Sequence, residues 1–295
     1  MADLRKKLST NVGGDFFVDS TCINCDTCRQ LAPATFRETG EYSAVIHQPE
    51  TEPELQDAWR ALVACPVGSI GTVKKDKPNL QQAMASFPLH LEAGVYYNGF
   101  NSEKSFGANS YFIRHQEGNW LIDSPRYVSH LVEAFERMGG IRYIFLSHAD
   151  DVADAARYAS RFKATRIIHE EDAEAMPESE WLVRGNEPVV ATSHVQFIPV
   201  PGHTAGSLAL LYDQRFLFTG DHLWWDRDEH GLDVPSVRVW NEEQLRSSTT
   251  RLLNYAFEWV LPGHGERIHL SPAGMKEEVQ RLLRRRFKVS QQSVI

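Results

Sequence analysis

Hydrophobic positions along this chain change period several times, and each change marks an element. Residues 41–46, EYSAVI, alternate as in a short strand. Leu55, Ala58, Trp59, Leu62 and Val63 follow at helical spacing, and Trp59 reads as a packing residue rather than an electron relay. From about residue 89 the text becomes strand-rich: VYYNGF, NSYFIRH and NWLID, with Glu117-Gly118-Asn119 as a turn. VSHLVEAFERMGG predicts a helix closed by Gly139 and Gly140. IRYIFLS then predicts a buried strand, DDVADAARYASRF a helix with Asp150 or Asp151 near its start, and RIIHE another strand. VQFIPV, SLALLYD and RFLFTG predict strands, NEEQLRSSTTRLLNYA a helix, and EWVLPGHG a short strand entering a loop. RLLRRRFK reads as the end of a helix, where positive charge suits the dipole. Strands interleaved with helices after opening hairpins predict layered α/β packing.

The pattern breaks at residues 71–88, GTVKKDKPNLQQAMASFP, which read as a polar connector with one short helical turn. The break divides the chain into residues 1–73, a linker at 74–88, and residues 89–295. A length of 295 residues agrees with about two domains. Hydrophobic residues make up 42% and charged residues 24%, enough to build cores and to exclude global disorder. A formal net charge of −8 argues against a general nucleic-acid binder. No apolar run is long enough for a membrane span, and the N-terminus lacks the apolar stretch of a secretory signal. A cytoplasmic protein is expected, with the plastid stroma left open by the scarcity of acidic residues between Asp3 and Asp15.

Composition changes the picture most through the cysteines. There are four, too few for a disulfide scaffold. Cys22, Cys25 and Cys28 form C-x2-C-x2-C, and Cys65 stands far downstream beside Pro66. Thiolates suit zinc or an iron–sulfur centre. Structural zinc usually pairs two C-x2-C hooks, whereas three cysteines on one loop and one distant cysteine suit a cubane cluster. The segments TCINCDTCRQLAP and ACPVGSI resemble the single-cluster [4Fe-4S] ferredoxins over roughly residues 13–73. That resemblance implies a ferredoxin-like domain with its cluster on all four cysteines.

Polar residues concentrate where the later strands stop: SHADD after IRYIFL, PGHTAGS after VQFIPV, GDH after RFLFT and PGHGER after EWVL. Loops on a rigid scaffold are where sites are built, so His148, His203, Asp221 and His264 are candidates. His47, His90, His115, His130 and His230 read as ordinary surface or core histidines. The order of these loops resembles the metallo-β-lactamase fold superfamily over residues 89 to about 270. The resemblance implies an αββα sandwich, so the expected fold class is α+β, a ferredoxin-like domain followed by that sandwich. It also implies ligand loops reading H-x-H-x-D-H, H, D and H around two metal ions. His148 takes the first place, His203 the lone histidine, Asp221 the bridging aspartate and His264 the last histidine. Asp150 stands where the second histidine belongs, and Val152-Ala153 replace Asp-His.

His148, Asp150, His203 and Asp221 still offer two imidazoles and two carboxylates, ligands suited to zinc, manganese or ferrous iron. Asp150 reads equally as a ligand or as a helix cap. One zinc or iron ion is expected, with His148, Asp150 and His264 as catalytic residues. Zinc would make water more acidic and permit hydrolysis, with His264 donating a proton or holding substrate. The leading alternative is a non-haem iron oxidoreductase fed by the cluster; the other is a metal-free electron-transfer or binding module. The expected partners are a small-molecule substrate of unread class and a redox protein, with neither nucleic acid nor membrane. Trp224, Trp225, Arg227, Arg238 and Trp240 read first as loop packing and second as the rim of a pocket.

Overall fold

A computed structural model gives the structure of residues 2–288. The chain divides into two compact units, residues up to 142 with 153–164, and residues 143–152 with 165 onward.

In the first unit, strands Phe16–Val18 and Ile70–Thr72 pair antiparallel, as do Phe36–Thr39 and Tyr42–Val45. Helix Glu52–Ala64 begins at a capping box, in which Thr51 and Glu54 each satisfy the other's backbone N–H. It buries Ala58, Trp59, Ala61 and Val63, and Trp59 meets Phe16 edge-on at 5.4 Å between ring centres. Cys65 is its C-cap, so the helix delivers the fourth cysteine.

The expected connector contains a full helix, Lys77–Ala85, longer than the single turn anticipated. Asp76 caps it by accepting the Asn79 N–H, and Pro78 occupies its first turn, where a missing N–H costs nothing. Only Ala83 is buried, so no apolar stripe marked it. Strands Leu89–Glu92, Val95–Tyr97, Tyr111–Ile113 and Trp120–Ile122 then form an antiparallel meander. Helices Ser129–Arg137 and Ala155–Phe162 bring Phe135 and Tyr158 together, and Phe135 stacks on Phe112 at 4.9 Å. The second helix starts at Ala155, later than its pattern suggested, so neither Asp150 nor Asp151 caps it.

In the second unit, Tyr143–Phe145, Thr165–His169 and Trp181–Val183 run parallel. A six-stranded sheet takes Val189–Val190, Val195–Pro199, Leu208–Tyr212, Phe216–Gly220, Trp259–Pro262 and Ile268–His269 in that order. The two layers meet where Phe197 stacks on Phe145 and takes the edge of Trp181. Helices Glu242–Arg251 and Pro272–Phe287 cover the other face, burying Leu245, Met275, Val279, Leu282 and Leu283 against Ile198, Leu211 and Val260.

Strand direction positions the site. Val195–Pro199 and Phe216–Gly220 are each antiparallel to the strand between them, and Trp259–Pro262 is parallel to the latter. All three therefore run the same way and end at one edge. The loops leaving that edge carry His203, Asp221 and His264.

Candidate metal centre and cluster site

Two groups of side chains converge at that edge. His148, His203 and Asp221 form one triad, with ligand atoms within 4.8 Å of one another. Asp151, Asp221 and His264 form a second to the same limit, so Asp221 belongs to both. Nε2 of His148 lies 3.7 Å from Asp221 Oδ2, and Nε2 of His203 lies 3.8 Å from the same oxygen. Nδ1 of His264 stands 2.8 and 2.9 Å from the two Asp221 oxygens.

His148 owes its orientation to Ser147, whose hydroxyl lies 2.9 Å from Nδ1 and leaves Nε2 to face the triad. Ser147 is packed against Gly220, which has φ +50; a Cβ there would come 2.4 Å from the serine hydroxyl. Glycine is thus required both by conformation and by space. The segment Ala149–Asp151 is a single 3-10 turn. Asp151, the last residue of the turn, is buried at 1% exposure and grouped with Asp221 and His264. Asp150 falls outside both triads. Its side chain is 56% exposed, yet Oδ2 is 3.4 Å from His203 Nε2.

One buried residue outside the sequence motifs fastens these loops. Asp172 accepts the Ala149 N–H at 2.9 Å, the Thr204 hydroxyl at 2.7 Å and the Gly206 N–H at 3.1 Å. It lies in the acidic run EEDAEA, where nothing distinguishes it from its neighbours. His222 joins neither triad. Burial pushes its imidazole down to about 3, so it is neutral, with Thr249 Oγ1 3.3 Å from Nε2.

The electrostatics suit a cation. Burial works against the Asp221 carboxylate, but His264, His148 and His203 around it hold its pKa well below the usual range. Burial lowers the pKa of His148. Burial opposes protonation of His203 too, but its hydrogen-bonding interaction with Asp150 and the nearby Asp221 charge raise its pKa. Nε2 of His148 is buried with no hydrogen-bond partner, an expensive condition unless something else takes its lone pair. Imidazole and carboxylate donors aimed at a common point fit a borderline divalent ion.

The other candidates, Cys22, Cys25, Cys28 and Cys65, are all free thiols and line one cavity with Ser43, Pro66 and Ser69. Asn24 and Asp26 take left-handed conformations on either side of Cys25, wrapping the loop inward. Arg29 was not singled out from the sequence, yet it pins this loop: it donates to Asp26 at 2.5 Å, to Asn24 at 2.6 Å and to the Ser43 hydroxyl at 2.8 Å. Burial pushes the Cys25 thiol up to about 11 and Cys28 further still. Thiolates so buried need positive charge, which fits a metal cluster.

Trp224 and Trp225 lie on a hairpin, Trp224–Asp226 with Gly231–Asp233. Trp225 packs on the core, and Arg227 pairs with Glu266. Trp240 is exposed, and its N–H donates to the His203 carbonyl at 3.0 Å.

Comparison with known proteins agrees with both halves. Residues 89–278 match the family described as the metallo-beta-lactamase superfamily, nearly two-thirds of the chain. The chain belongs to the metallo-beta-lactamase superfamily. Residues 18–72 match the 4Fe-4S single cluster domain of ferredoxin I. The protein thus joins a ferredoxin-type 4Fe-4S domain to a metallo-beta-lactamase domain; the first supports a cluster, and the second suggests a metal ion. The chain is 22% identical over 211 residues to the uncharacterized protein YobT of Bacillus subtilis (strain 168), covering 60% of this chain and 91% of YobT. Among solved structures it is similar to VMB-1, with a TM-score of 0.51, 15% identity, and coverage of 65% of this chain and 95% of that one. ETHE1 from Myxococcus xanthus gives a TM-score of 0.49 at 22% identity, over 68% of this chain and 88% of that one. Similarity at these identities concerns the fold. Among the described residues, no helix is long and apolar enough to cross a membrane.

Proposed function

We propose that this superfamily member is a metal-dependent hydrolase-type enzyme with an altered metal centre, joined to a redox or sensing [4Fe-4S] cluster. The observation that carries the reading is the Asp221 carboxylate shared between two donor triads. His148, His203 and Asp221 would hold the principal ion, zinc in this reading and iron in the alternative below. Asp151, Asp221 and His264 offer a place for a second ion, a role the sequence motif alone did not assign to Asp151. When bound, such ions supply Lewis acidity and lower the pKa of water.

The chain's own residues supply the rest. Asp150, exposed beside His203, is placed to accept a proton at Oδ2. His264 is oriented by Asp221 and holds a proton or a substrate oxygen. Ser147 and Asp172 keep the His148 loop in register. Cys22, Cys25, Cys28 and Cys65 carry the cluster in a domain of residues 1–73, which residues 74–88 connect to the catalytic domain of 89–295. The substrate is a small molecule, and a redox protein serves the cluster. Unpaired cysteines favour a reducing compartment, the cytoplasm or plastid stroma.

A second reading rests on the first triad taken alone. Two imidazoles and one carboxylate are also the ligand set of non-haem iron oxygenases, and the cluster would then supply electrons.

Metal analysis of anaerobically purified protein separates the readings. About four irons per chain with one or two zinc ions supports the hydrolase; about five irons without zinc favours the oxidoreductase. About four irons and no other metal overturns both. His203→Ala is expected to remove the non-cluster ion while leaving the visible and paramagnetic signals of the cluster intact. Loss of both together would show that the two sites are not separate.

A further inference from the structure

Each cluster cysteine has a polar group close to its sulfur. The Asn24 N–H donates to Cys22 Sγ at 3.4 Å, the Ser69 hydroxyl lies 3.4 Å from Cys65 Sγ, and Ser43 hydrogen-bonds Cys28. The Thr27 hydroxyl lies 3.3 Å from Cys25 Sγ. All four groups lie in the ferredoxin-type segment. Thr27 differs, because residues from the segment matched to the lactamase family control its hydroxyl.

The control is a directed chain of hydrogen bonds. The Gly107 carbonyl can only accept, so the amide end 2.7 Å from it is Nδ2, and Asn101 Oδ1 on the other side accepts the Tyr97 phenolic proton at 2.7 Å. Asn101 Nδ2 donates one proton to the Gly107 carbonyl, and its other proton faces Thr27 Oγ1 at 3.2 Å, with Asn109 Oδ1 slightly farther at 3.3 Å. With a lone pair of Thr27 occupied, its single hydroxyl proton has two acceptors in reach. One is the Gly107 carbonyl at 3.2 Å, already served by Asn101; the other is Cys25 Sγ. A thiolate bound to a cluster is the charged acceptor, and charge-assisted bonds are the stronger ones.

The rest of the loop closes over Cys25. Gly107 has φ +88, and a Cβ on it would lie 2.8 Å from both Cβ and Sγ of Cys25. The Asn101 N–H donates to the Ala64 carbonyl at 3.1 Å, immediately before Cys65. Arg126 donates to the Val63 carbonyl at 3.0 Å. The lactamase-type segment therefore packs directly against Cys25 and against the two residues that precede Cys65.

We propose that Tyr97 and Asn101 act as positioning residues that direct the Thr27 hydroxyl onto Cys25 Sγ and thereby raise the reduction potential of the cluster. Adding an electron increases negative charge on the ligand sulfurs. A hydroxyl donating to one of them stabilises the reduced form more than the oxidised form, and such bonds are among the determinants of cluster potential. The inference rests on the cluster and is independent of which metal the other centre holds.

The test is a redox titration of the full-length holoprotein with a chemical reductant, following the cluster by visible absorbance and paramagnetic resonance. Thr27→Val keeps the shape and removes the hydroxyl. It is expected to lower the potential, shifting the reduction equilibrium by about threefold or more against the wild type, as for loss of one hydrogen bond. Thr27→Ser is expected to restore the wild-type value. Asn101→Leu is expected to lower the potential in the wild-type background and to add nothing to Thr27→Val. Where Asn101→Leu fails to assemble a cluster, Tyr97→Phe makes the same comparison by removing only the hydroxyl that holds the amide oxygen. Equal potentials for wild type and Thr27→Val overturn the proposal. So does a shift from the Asn101 or Tyr97 variant that adds in full to that of Thr27→Val.

Discussion

At the residue scale, Asp150 and Asp151 show how one position decides a role. They are adjacent, equally acidic and equally able to cap a helix by composition. The 3-10 turn buries Asp151 beside Asp221 and His264 and leaves Asp150 at the solvent edge near His203. The motif Asp-His of the superfamily falls on Val152-Ala153 here, and Asp151, one position earlier, reaches the same group of ligands as Asp221 and His264. Asp172 makes the corresponding point about support. It ties the His148 loop to the loop after His203 through three hydrogen bonds, so it is expected to orient the candidate ligands while belonging to neither triad. Asp172→Asn loses one of the two carboxylate acceptors and is expected to weaken affinity for the non-cluster metal by about 10–100-fold. Competition with a fluorescent chelator measures this, with unchanged circular dichroism showing that the fold persists. Unaltered affinity would assign Asp172 to loop structure alone.

At the element scale, the helix Glu52–Ala64 joins local capping to cofactor placement. Its capping box fixes the N-terminus, and its C-cap is Cys65. Removing the Thr51 hydroxyl leaves an orphan N–H at Glu54. Thr51→Ala is expected to cost about 1 kcal/mol, read as a lower urea midpoint with an unchanged slope. The cluster absorbance per chain before unfolding should remain that of the wild type, because the cap lies at the opposite end from Cys65. Elements with strong periodicity were legible in advance: this helix, Ser129–Arg137, and the strands feeding the polar loops. The helix Lys77–Ala85 was read as a connector because it buries one alanine and presents no apolar face. Strands such as Phe16–Val18 and Ile70–Thr72 are three residues long, too short to display a period, and exist because they pair with each other.

At the scale of the whole molecule, the chain combines two chemistries with different ligands. The four cysteines form one candidate ligand set, and histidine with aspartate forms the other, with no residue in common among those described. A chelator such as EDTA, applied anaerobically, is therefore expected to strip the non-cluster ion and leave the visible cluster spectrum unchanged. Loss of the spectrum at the same chelator concentration would contradict the separation. Residue type and order along the chain were enough to single out both groups of candidate ligands, because thiolates and imidazoles at strand ends and tight loops carry their chemistry wherever they are placed. The direction of the strands made the three histidine- and aspartate-bearing loops meet, since strands running the same way must end at the same edge. What tertiary structure alone decided was orientation and partnership. Asp151 faces inward through the backbone of one turn, and Asn101 meets Thr27 across 74 positions of sequence. No local pattern records such pairs, because a hydrogen bond depends on distance and angle in space, and these are set only when the intervening chain has packed.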